Sequence, residues 1–509
     1  MNSWRATLND RVLAAGQSQA IKDEQFEYTW FDVQRMVDDL ATVLDQFQRP
    51  TIIAGHRNAQ MILAISCLLT MDEAGLTIDK TQIASTLESL HQQLPTHNLI
   101  LHEADLQGFH ALLEGLGYEL NKAVVLNSFE PDRWLGRPVI ISTGAQQRGA
   151  KFPALTDECG WLLMTSGTTA APKIVLVGKS DLIQRAKGEI RDFGISGRDT
   201  ILNLLPVSHD VGFNQILSWW MSGCRLVVQG NSSSSRLRKN FSDEKITGVS
   251  GTPLMWSSFF RTSNESDAFD SVRFVTISGG TLPRSQRLRL KEIFPKADVF
   301  RTYGQTETFR SLIQKNRLTE ETQGSPLSGV HLKLVDPKGN EVLDGVEGEL
   351  VHSGDGTMLG YLDRKSTSRE VPTGDYFIRN SAGEFLFVGR KDDLIKRWEI
   401  RMHLSEVEDT LQKCPGVLGV CALHRPCADH RQNELIAFIV LDASQEEFRN
   451  LSFEQAQEEL KQYCMENLAS AKIPDEINVI AEFPITASQK IDRAALRTTW
   501  EKKHAQQRS

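Results

Sequence analysis

The stretch Leu162-Leu163-Met164-Thr165-Ser166-Gly167-Thr168-Thr169-Ala170-Ala171-Pro172-Lys173 joins an apolar run to a loop of small residues and a lysine. The apolar run predicts a buried strand. The loop offers hydroxyls and backbone N–H groups that can wrap phosphate oxygens, and Lys173 adds a positive charge. The GxxxxGK[ST] spacing of a Walker A loop is absent. A solvated Ser/Thr turn is the plain alternative, and for this stretch alone it is the better one.

Short apolar runs alternate with longer amphipathic runs on either side of this loop. The apolar runs are mostly β-branched and bounded by Gly, Pro or Asn, which is typical of buried strands. The predicted strands are 138–143, 174–177, 201–205, 226–228 and 273–277, and the predicted helices between them are 182–193 and 285–293. The alternation predicts an α/β fold with parallel layers.

The pattern changes beyond about residue 325. Hairpins are predicted at 332–341, 348–359 and 376–388, and helix and strand patterns mix again from about residue 393. We therefore predict a large N-terminal domain of layered α/β subdomains over 1–390, with a small β subdomain at about 325–390. A small mobile α+β C-terminal lid domain is predicted over 391–509, joined by a polar hinge.

Composition excludes several classes of protein. The 509 residues carry 57 Lys and Arg against 65 Asp and Glu, a net charge of −8. This balance argues against a nucleic-acid or anionic-membrane binder. The seven cysteines form no CxxC pair, which argues against a disulfide framework or a structural zinc site. The N-terminus lacks an apolar signal segment, so we expect a cytoplasmic protein.

Four further motifs follow the loop in a fixed order. They read RTYGQTET at 301–308, GDY at 374–376, GRKDD at 389–393 and PIT followed by KIDR at 484–493. Together with TSGTTAAPK at 165–173 they are similar to the ordered motifs of the adenylate-forming superfamily. That superfamily includes acyl-CoA and aryl-CoA ligases, amino-acid adenylation domains and luciferases. The chain most resembles a stand-alone amino-acid adenylation enzyme or an amino acid–carrier protein ligase, and the resemblance is weakest over 1–150.

The resemblance implies an enzyme that uses ATP and Mg²⁺ in two half-reactions. A carboxylate attacks the α-phosphate to give an acyl-adenylate and pyrophosphate, and a thiol then displaces AMP. The implied ATP-binding residues are Thr165, Ser166, Gly167, Thr168, Thr169, Lys173, Gly279, Thr302, Tyr303, Gly304, Asp375 and Arg390. The implied catalytic residues are Lys490, Thr306 and Glu307, with Glu307 as the metal ligand, and the implied hinge is Lys391 and Asp392.

Specific roles follow from the same resemblance. Tyr303 would stack on adenine, Asp375 would accept from the ribose hydroxyls, and Lys490 would bridge the substrate carboxylate and the α-phosphate. Each residue also has a structural alternative. Tyr303 fits a core aromatic, Glu307 a charge at a helix N-terminus, Asp375 a turn residue, and Lys490 a solvated surface lysine.

The acid pocket is implied to involve His209, Asp210, Ser278, Arg310 and Ser311. Asn214, Ser250, Thr276 and Thr302 are the other polar positions that the resemblance aligns with it. Asp210 matches the aspartate that pairs with the substrate ammonium in amino-acid-activating relatives. Fatty-acyl-AMP ligases also carry a His-Asp pair, and capping of a helix that starts near Gly212 is the structural alternative. Arg310 and the Trp219-Trp220 pair would fill the pocket, which favours a glycine- or alanine-sized amino acid. A place in the core is the alternative for the two tryptophans, because at most one of two adjacent residues faces the pocket.

The expected acceptor is a separate phosphopantetheinylated carrier protein, because nothing after Lys490 resembles a pantetheine-attachment site. Free CoA is the second choice, and neither nucleic acid nor membrane is an expected partner. An aryl- or fatty-acyl-CoA or acyl-AMP ligase is the alternative function. A nucleotide-binding scaffold without catalysis is the alternative from another class.

Three residues depart from the superfamily pattern. Ala170 and Gln489 each stand where relatives have glycine, and Glu399 replaces a glycine that lines the path of the pantetheine arm in relatives. The acidic Glu399 argues mildly against free CoA, whose phosphates are anionic.

Overall fold

The protein is described by a computed structural model. The structure describes residues 3–44, 51–55, 57–79, 97–102, 120–126, 157–165, 173–230, 233–262, 268–280, 282–365, 368–398, 400–426, 433–442, 451–486 and 490–507. The predicted strand at 138–143 lies outside these residues.

Helices and strands alternate through the first two thirds of the described chain. The helices are α1 (Trp4–Ala15), α2 (Trp30–Leu44), α3 (Ala59–Thr70), α4 (Lys179–Phe193), α5 (Asp210–Ser222), α6 (Ser234–Asp243), α7 (Pro253–Thr262), α8 (Arg284–Ile293), α9 (Leu404–Leu411), α10 (Phe453–Asn467) and α11 (Arg493–Gln507). The strands before residue 320 are β1 (Gln19–Lys22), β2 (Glu27–Thr29), β3 (Thr51–Gly55), β4 (Gly75–Asp79), β5 (His97–His102), β6 (Leu120–Leu126), β7 (Cys159–Met164), β8 (Ile174–Gly178), β9 (Thr200–Asn203), β10 (Arg225–Val228), β11 (Gly248–Gly251), β12 (Phe274–Ile277), β13 (Asp298–Gln305) and β14 (Phe309–Lys315). The later strands are β15 (Ser325–Pro326), β16 (Val330–Val335), β17 (Glu347–Gly354), β18 (Gly360–Tyr361), β19 (Arg364–Lys365), β20 (Glu370–Arg379), β21 (Phe385–Arg390), β22 (Leu394–Arg397), β23 (Ile400–His403), β24 (Val417–Pro426), β25 (Asn433–Leu441) and β26 (Glu476–Val479).

Two large sheets carry the layered part of the fold. A nine-stranded sheet has the order β15-β14-β13-β12-β11-β9-β10-β1-β2, and an eight-stranded sheet has the order β19-β18-β8-β7-β4-β3-β5-β6. Strands β10, β9, β11, β12 and β13 run parallel to one another, as buried strands joined by helices do. The α/β prediction is confirmed. The runs predicted at 174–177, 201–205, 226–228 and 273–277 form β8, β9, β10 and β12, with β9 ending two residues early.

The nine-stranded sheet buries a different apolar cluster on each face. Ile201, Phe274 and Phe300 pack with helices α4 and α5 on one face. Val249 and Val275 pack with helices α6, α7 and α8 on the other. Because side chains alternate along a strand, Thr276 and Ser278 lie on the same face as Phe274, towards α4 and α5.

A four-stranded antiparallel sheet, β16-β17-β20-β21, forms where the β subdomain is predicted. The predicted hairpin at 376–388 is confirmed as β20–β21. The predicted hairpin at 348–359 is wrong, because 347–354 is one strand. It pairs with β16 on one side and β20 on the other, which leaves no room for a reversal within it.

The C-terminal part has its own apolar clusters around the three-stranded sheet β24-β25-β26. Leu254 of α7 packs against one of these clusters. The polar stretch Lys391–Asp393 forms a short 3₁₀ turn in which Lys391 and Asp392 are exposed. The domain boundary at residue 390 stays a prediction.

Candidate active site

The predicted phosphate loop joins two antiparallel strands, β7 and β8. Its ends are tied together, because the Thr165 N–H donates to the Lys173 carbonyl at 3.0 Å and the Lys173 N–H donates to Thr165 Oγ1 at 3.2 Å. Ser166, Gly167, Thr168 and Thr169, together with Ala170, lie outside the described residues. The geometry therefore fixes where the loop begins and ends.

One tyrosine joins the end of this loop to the predicted metal ligand. Tyr361 lies on β18, which pairs with β8 beside Lys173. Its hydroxyl donates to Glu307 Oε1 at 2.9 Å, and Lys173 Nζ lies 5.2 Å from its ring centroid. The Glu307 carbonyl accepts from the Met358 N–H at 3.0 Å, which holds the backbone before β18. Thr306 is half-buried in the turn next to Glu307.

The predicted nucleotide residues Tyr303, Asp375 and Arg390 meet at one point. The Tyr303 hydroxyl donates to Asp375 Oδ2 at 2.6 Å, and Arg390 Nε lies 3.2 Å from Asp375 Oδ1. Burial raises the pKa of the Asp375 carboxyl above its usual value, although the Arg390 charge and the Tyr303 hydrogen bond oppose the rise. Oδ1 is buried and accepts no hydrogen bond from the described residues. A ribose hydroxyl is a donor of the kind this oxygen lacks.

Two glycines of the predicted nucleotide site lie close to their neighbours. A Cβ on Gly304 would lie 1.7 Å from the Phe309 carbonyl oxygen across the β13–β14 hairpin. A Cβ on Gly279, where φ is +86°, would lie 3.3 Å from Cε of Lys490. The lysine of the C-terminal part therefore reaches the end of β12, where Ser278 and Thr302 share a hydrogen bond.

The predicted acid-pocket residues lie on the face of the nine-stranded sheet that α4 and α5 cover. Thr276 Oγ1 donates to Ser250 Oγ at 2.8 Å. Arg310 is 3% exposed and forms an ion pair with Glu189 of α4, which is 2% exposed. Asn214 Nδ2 donates to the same carboxylate at 2.9 Å.

Two interpretations of this region need correction. Helix α5 begins at Asp210 with His209 at its N-cap, so Asp210 does not cap a helix starting near Gly212. The Trp219-Trp220 pair does not fill the pocket, because the Trp219 indole N–H donates to the Ala20 carbonyl of β1 and the Trp220 indole N–H donates to the Trp4 carbonyl of α1. Both rings pack with Trp30 in the core.

Ser311 bonds to a strand of the four-stranded sheet and not to the residues around Glu189. Its hydroxyl bonds to Nδ1 of the buried His352 at 3.0 Å. Burial lowers the pKa of His352 to about 4. The role of Ser311 in acid binding stays a prediction.

The donor set suits magnesium bound together with a nucleotide. The described residues include no group of three or more His, Cys, Asp or Glu side chains that could hold a metal alone. Mg²⁺ is usually held by one or two carboxylates plus substrate phosphates, and Glu307 supplies such a carboxylate beside the phosphate loop. When bound, the ion would neutralise charge on the phosphates.

Comparison with known proteins identifies the family. The AMP-binding enzyme model matches residues 8–362, and the model of the AMP-binding enzyme C-terminal domain matches residues 406–490. The chain belongs to the AMP-binding enzyme family. It is an AMP-forming acid–thiol ligase.

Relatives in the AMP-binding enzyme family span most of the chain. The chain is 27% identical to zwittermicin A synthase ZmaJ of Bacillus cereus over 405 residues, which cover 74% of this chain and 75% of that protein. It is 24% identical over 508 residues to the D-alanine–D-alanyl carrier protein ligase of Streptococcus pneumoniae, covering 92% of each. The crystal structure of the anthranilate CoA ligase AuaEII with anthranoyl-AMP has the same fold. It superposes with a TM-score of 0.82 at 21% identity, covering 98% of this chain and 97% of that one.

Sequence reasoning missed Glu189, Tyr361 and His352. Glu189 and His352 lie inside a regular helix and a regular strand, where a single polar residue reads as a surface position. Tyr361 stands between Gly360 and Leu362, outside every motif that the sequence pattern identifies. Among the described helices, none is long and apolar enough to cross a membrane.

Proposed function

We propose that this ligase activates a small amino acid, glycine- or alanine-sized, and passes it to the phosphopantetheine thiol of a separate carrier protein. The observation that carries the proposal is the position of Lys490. Its side chain lies against Gly279, next to Ser278 and Thr302, and its charge acts on Asp375. This position supports the proposal, in which Lys490 is the cation that meets the acid's carboxylate and the α-phosphate of a nucleotide held by Tyr303 and Asp375.

The first half-reaction gathers negative charge on the α-phosphate as the acid oxygen attacks and pyrophosphate leaves. Preorganised cations and hydrogen-bond donors lower such a barrier more than any other contribution. In the proposal, Lys173 and the loop from Thr165 hold the β- and γ-phosphates, and Glu307 holds Mg²⁺. Lys490 and Thr306 stabilise the charge that develops at the α-phosphate, and Gly279 and Gly304 keep the backbone close to the nucleotide.

The preference for a small amino acid rests on the pocket lining. Ser250, Thr276 and the Arg310–Glu189 pair are short or polar walls that suit neither a fatty chain nor a large aromatic acid. Asp210 lies half-buried in the first turn of α5 and forms no ion pair within the part of the chain that the structure describes. A substrate ammonium would supply the missing charge partner. The similarity to a D-alanine–carrier protein ligase agrees with this choice.

ATP–pyrophosphate exchange across about thirty acids, including the twenty amino acids, tests the substrate class. We expect exchange with one or a few small amino acids. Lys490→Ala should lower that exchange at least about 100-fold, since it removes the cation at the transition state. Lys461→Ala, at an exposed lysine on α10, is the matched control and should leave the rate unchanged. Exchange with benzoates or fatty acids and with no amino acid would replace the proposal by the aryl- or acyl-ligase alternative.

Single-turnover transfer tests the acceptor. The preformed aminoacyl-adenylate complex is mixed with a phosphopantetheinylated carrier protein or with free CoA, and thioester is measured by mass spectrometry. We expect the carrier to be acylated at least 10-fold faster than CoA. Equal or faster acylation of CoA would contradict the carrier assignment while leaving the amino-acid assignment in place.

A further inference from the structure

The loop that carries Lys490, residues 484–492, is closed by its own backbone. The Thr486 N–H donates to the Lys490 carbonyl at 2.8 Å, and the Lys490 N–H donates to Thr486 Oγ1 at 3.3 Å. At the ends of the loop, the Asp492 N–H donates to the Pro484 carbonyl at 2.8 Å. The Lys490 backbone therefore moves with the points at which these ends are attached to the C-terminal part.

Both ends of the Lys490 loop are attached to strand β24. Just before the loop, Phe483 is buried against Gly419, where a Cβ would lie 2.8 Å from the phenyl ring. Just after the loop, Arg493 Nη1 donates to the Ala422 carbonyl at 2.7 Å. Gly419 and Ala422 are three residues apart on the same strand. Strand β24 is therefore the base of the loop, with an apolar attachment at one end and a polar attachment at the other.

Glu408 of α9 completes the polar attachment. Arg493 Nη2 donates to Glu408 Oε1 at 2.6 Å, and the same oxygen accepts from the Ala422 N–H at 2.8 Å. Burial raises the pKa of the Glu408 carboxyl, and the Arg493 charge opposes the rise. The planar guanidinium binds the helix and the strand at once through two nitrogen atoms, which is a geometry that suits arginine better than lysine.

Helix α9 connects this attachment to the N-terminal part of the chain. Ser405, in the first turn of α9, donates from Oγ to the Val388 carbonyl of β21. Glu408 follows three residues later, about one turn further along the same helix. The partner of Arg493 is therefore held at a fixed distance from β21, in the pose in which the Lys490 side chain lies against Gly279.

We infer that Arg493 is a positioning residue for the adenylation step, because its bonds to Glu408 and to the Ala422 carbonyl hold the Lys490 loop in place. The inference rests on the proposed function for the role of Lys490. A lysine side chain is long and flexible and loses about 2 kcal/mol of rotamer freedom when it is held in one position. Misplacement of a reacting group by about 1 Å can cost about 100-fold in rate. A loop attached at both ends keeps the Lys490 backbone fixed, so that the side chain alone has to be ordered.

A paired variant removes the polar attachment without leaving a charge alone. In Arg493→Met/Glu408→Gln neither partner keeps its charge. ATP–pyrophosphate exchange is measured with the acid of the panel that the wild type uses best. We expect kcat to fall about 10-fold or more while KM for ATP stays within about 3-fold, because the variant removes an interaction that acts in the transition state. The control Arg425→Met/Glu434→Gln removes an ion pair of similar exposure between β24 and β25 and should leave both parameters as in the wild type.

Two further measurements separate positioning from a general loss of structure. When the paired variant is combined with Lys490→Ala, exchange should fall less than about 2-fold below that of Lys490→Ala alone, because the effect passes through the lysine. Thioester formation is then measured with a chemically prepared acyl-adenylate of the same acid and the acceptor that the single-turnover assay identifies. The paired variant should stay within about 3-fold of the wild type in this second half-reaction, since the proposed function uses Lys490 only in the first.

The outcomes distinguish the inference from the proposed function. If Lys490→Ala lowers exchange but the paired variant does not, the inference is overturned and the proposed function stands. The inference is also overturned if the paired variant lowers exchange equally with and without Lys490, or if thioester formation falls in parallel with exchange. Unchanged exchange in Lys490→Ala, or no exchange with any acid of the panel, removes the proposed function and the inference with it.

Discussion

Tyr361 is the residue that connects the predicted metal ligand to the phosphate loop. Its hydroxyl holds one oxygen of Glu307, which leaves the other oxygen free for a cation, and its ring lies under Lys173. Hydrogen-bond partners that orient a metal ligand typically change metal affinity 10- to 100-fold when removed. We expect Tyr361→Phe to weaken Mn²⁺ binding to the ATP complex about 10-fold, as measured by electron paramagnetic resonance. Tyr463→Phe, in the C-terminal part, is the control, and unchanged Mn²⁺ affinity in Tyr361→Phe would show that the hydroxyl only packs.

An alanine at Gly279 adds both backbone strain and a contact with Lys490, and an alanine at Gly383 adds backbone strain alone. Gly279 and Gly383 both have positive φ, +86° and +77°, so alanine at either costs about 1 kcal/mol of stability. Only Gly279 would place a Cβ against Lys490, since nothing lies within 4 Å of one at Gly383. We expect similar losses of stability in thermal unfolding for both alanine variants. Pyrophosphate exchange should fall about 10-fold or more for Gly279→Ala alone, and equal exchange in the two variants would contradict this position for the lysine.

At the level of elements, His352 on β17 makes the strand sensitive to acid. The ring is fully buried and its pKa is lowered to about 4, mainly by burial, against 6.5 in an unfolded chain. Above pH 6.5 the ring is neutral in both states and costs nothing. As the pH falls below 6.5 the unfolded chain gains the proton first, so stability is lost until about pH 4 at about 1.4 kcal/mol per pH unit.

Denaturant unfolding at pH 7 and pH 5 measures this effect. The wild type should lose about 2 kcal/mol more over that interval than His352→Gln, which has no proton to gain. His331→Gln, at an exposed histidine on β16, should behave as the wild type does. A His352→Gln curve parallel to the wild-type curve would show that the buried ring does not carry the dependence.

The elements that the sequence predicted well are those whose pattern is local. Strand β12 and helix α8 read directly from short apolar runs and helical spacing, and the strand–helix alternation led to the parallel sheet. The hairpin at 348–359 failed because the choice between one long strand and two short ones depends on neighbours. Strand β17 pairs with β16, which precedes it in the chain, and with β20, which comes after two strands of another sheet.

The candidate site also contains residues that local sequence motifs predict and residues that depend on distant parts of the chain. Tyr303, Asp375, Arg390 and Lys490 stand in sequence motifs, and the fold brings the first three together and places Lys490 within their electrostatic reach. Glu189 was beyond prediction because its partners come from α5 and β14, far along the chain. A buried carboxylate on a helix looks like a surface charge until those partners are known.

At the level of the whole molecule, contacts on either side of residue 390 hold the C-terminal part where Lys490 meets Gly279. Lys391 Nζ donates to Glu349 Oε2 at 3.0 Å, and His403 Nε2 lies 3.3 Å from Glu347 Oε1. Leu254 supplies an apolar contact. Ser405 Oγ donates to the Val388 carbonyl across the same boundary. An interface of polar contacts and a partly buried leucine can separate, as a rotation between the two half-reactions requires.

Asp392 is the position at which such a rotation can be blocked. It is the central residue of the 3₁₀ turn Lys391–Asp393 and is exposed. Residues of a 3₁₀ turn have φ values near the one that proline fixes. Asp392→Pro should therefore preserve the present pose and hinder the second one. We expect pyrophosphate exchange to stay within about 3-fold of the wild type while acylation of the thiol acceptor falls at least about 10-fold in single-turnover assays. Asp392→Ala, which leaves φ free, is the control. Equal losses in both half-reactions for Asp392→Pro would mean that the turn supports the fold and is not the pivot.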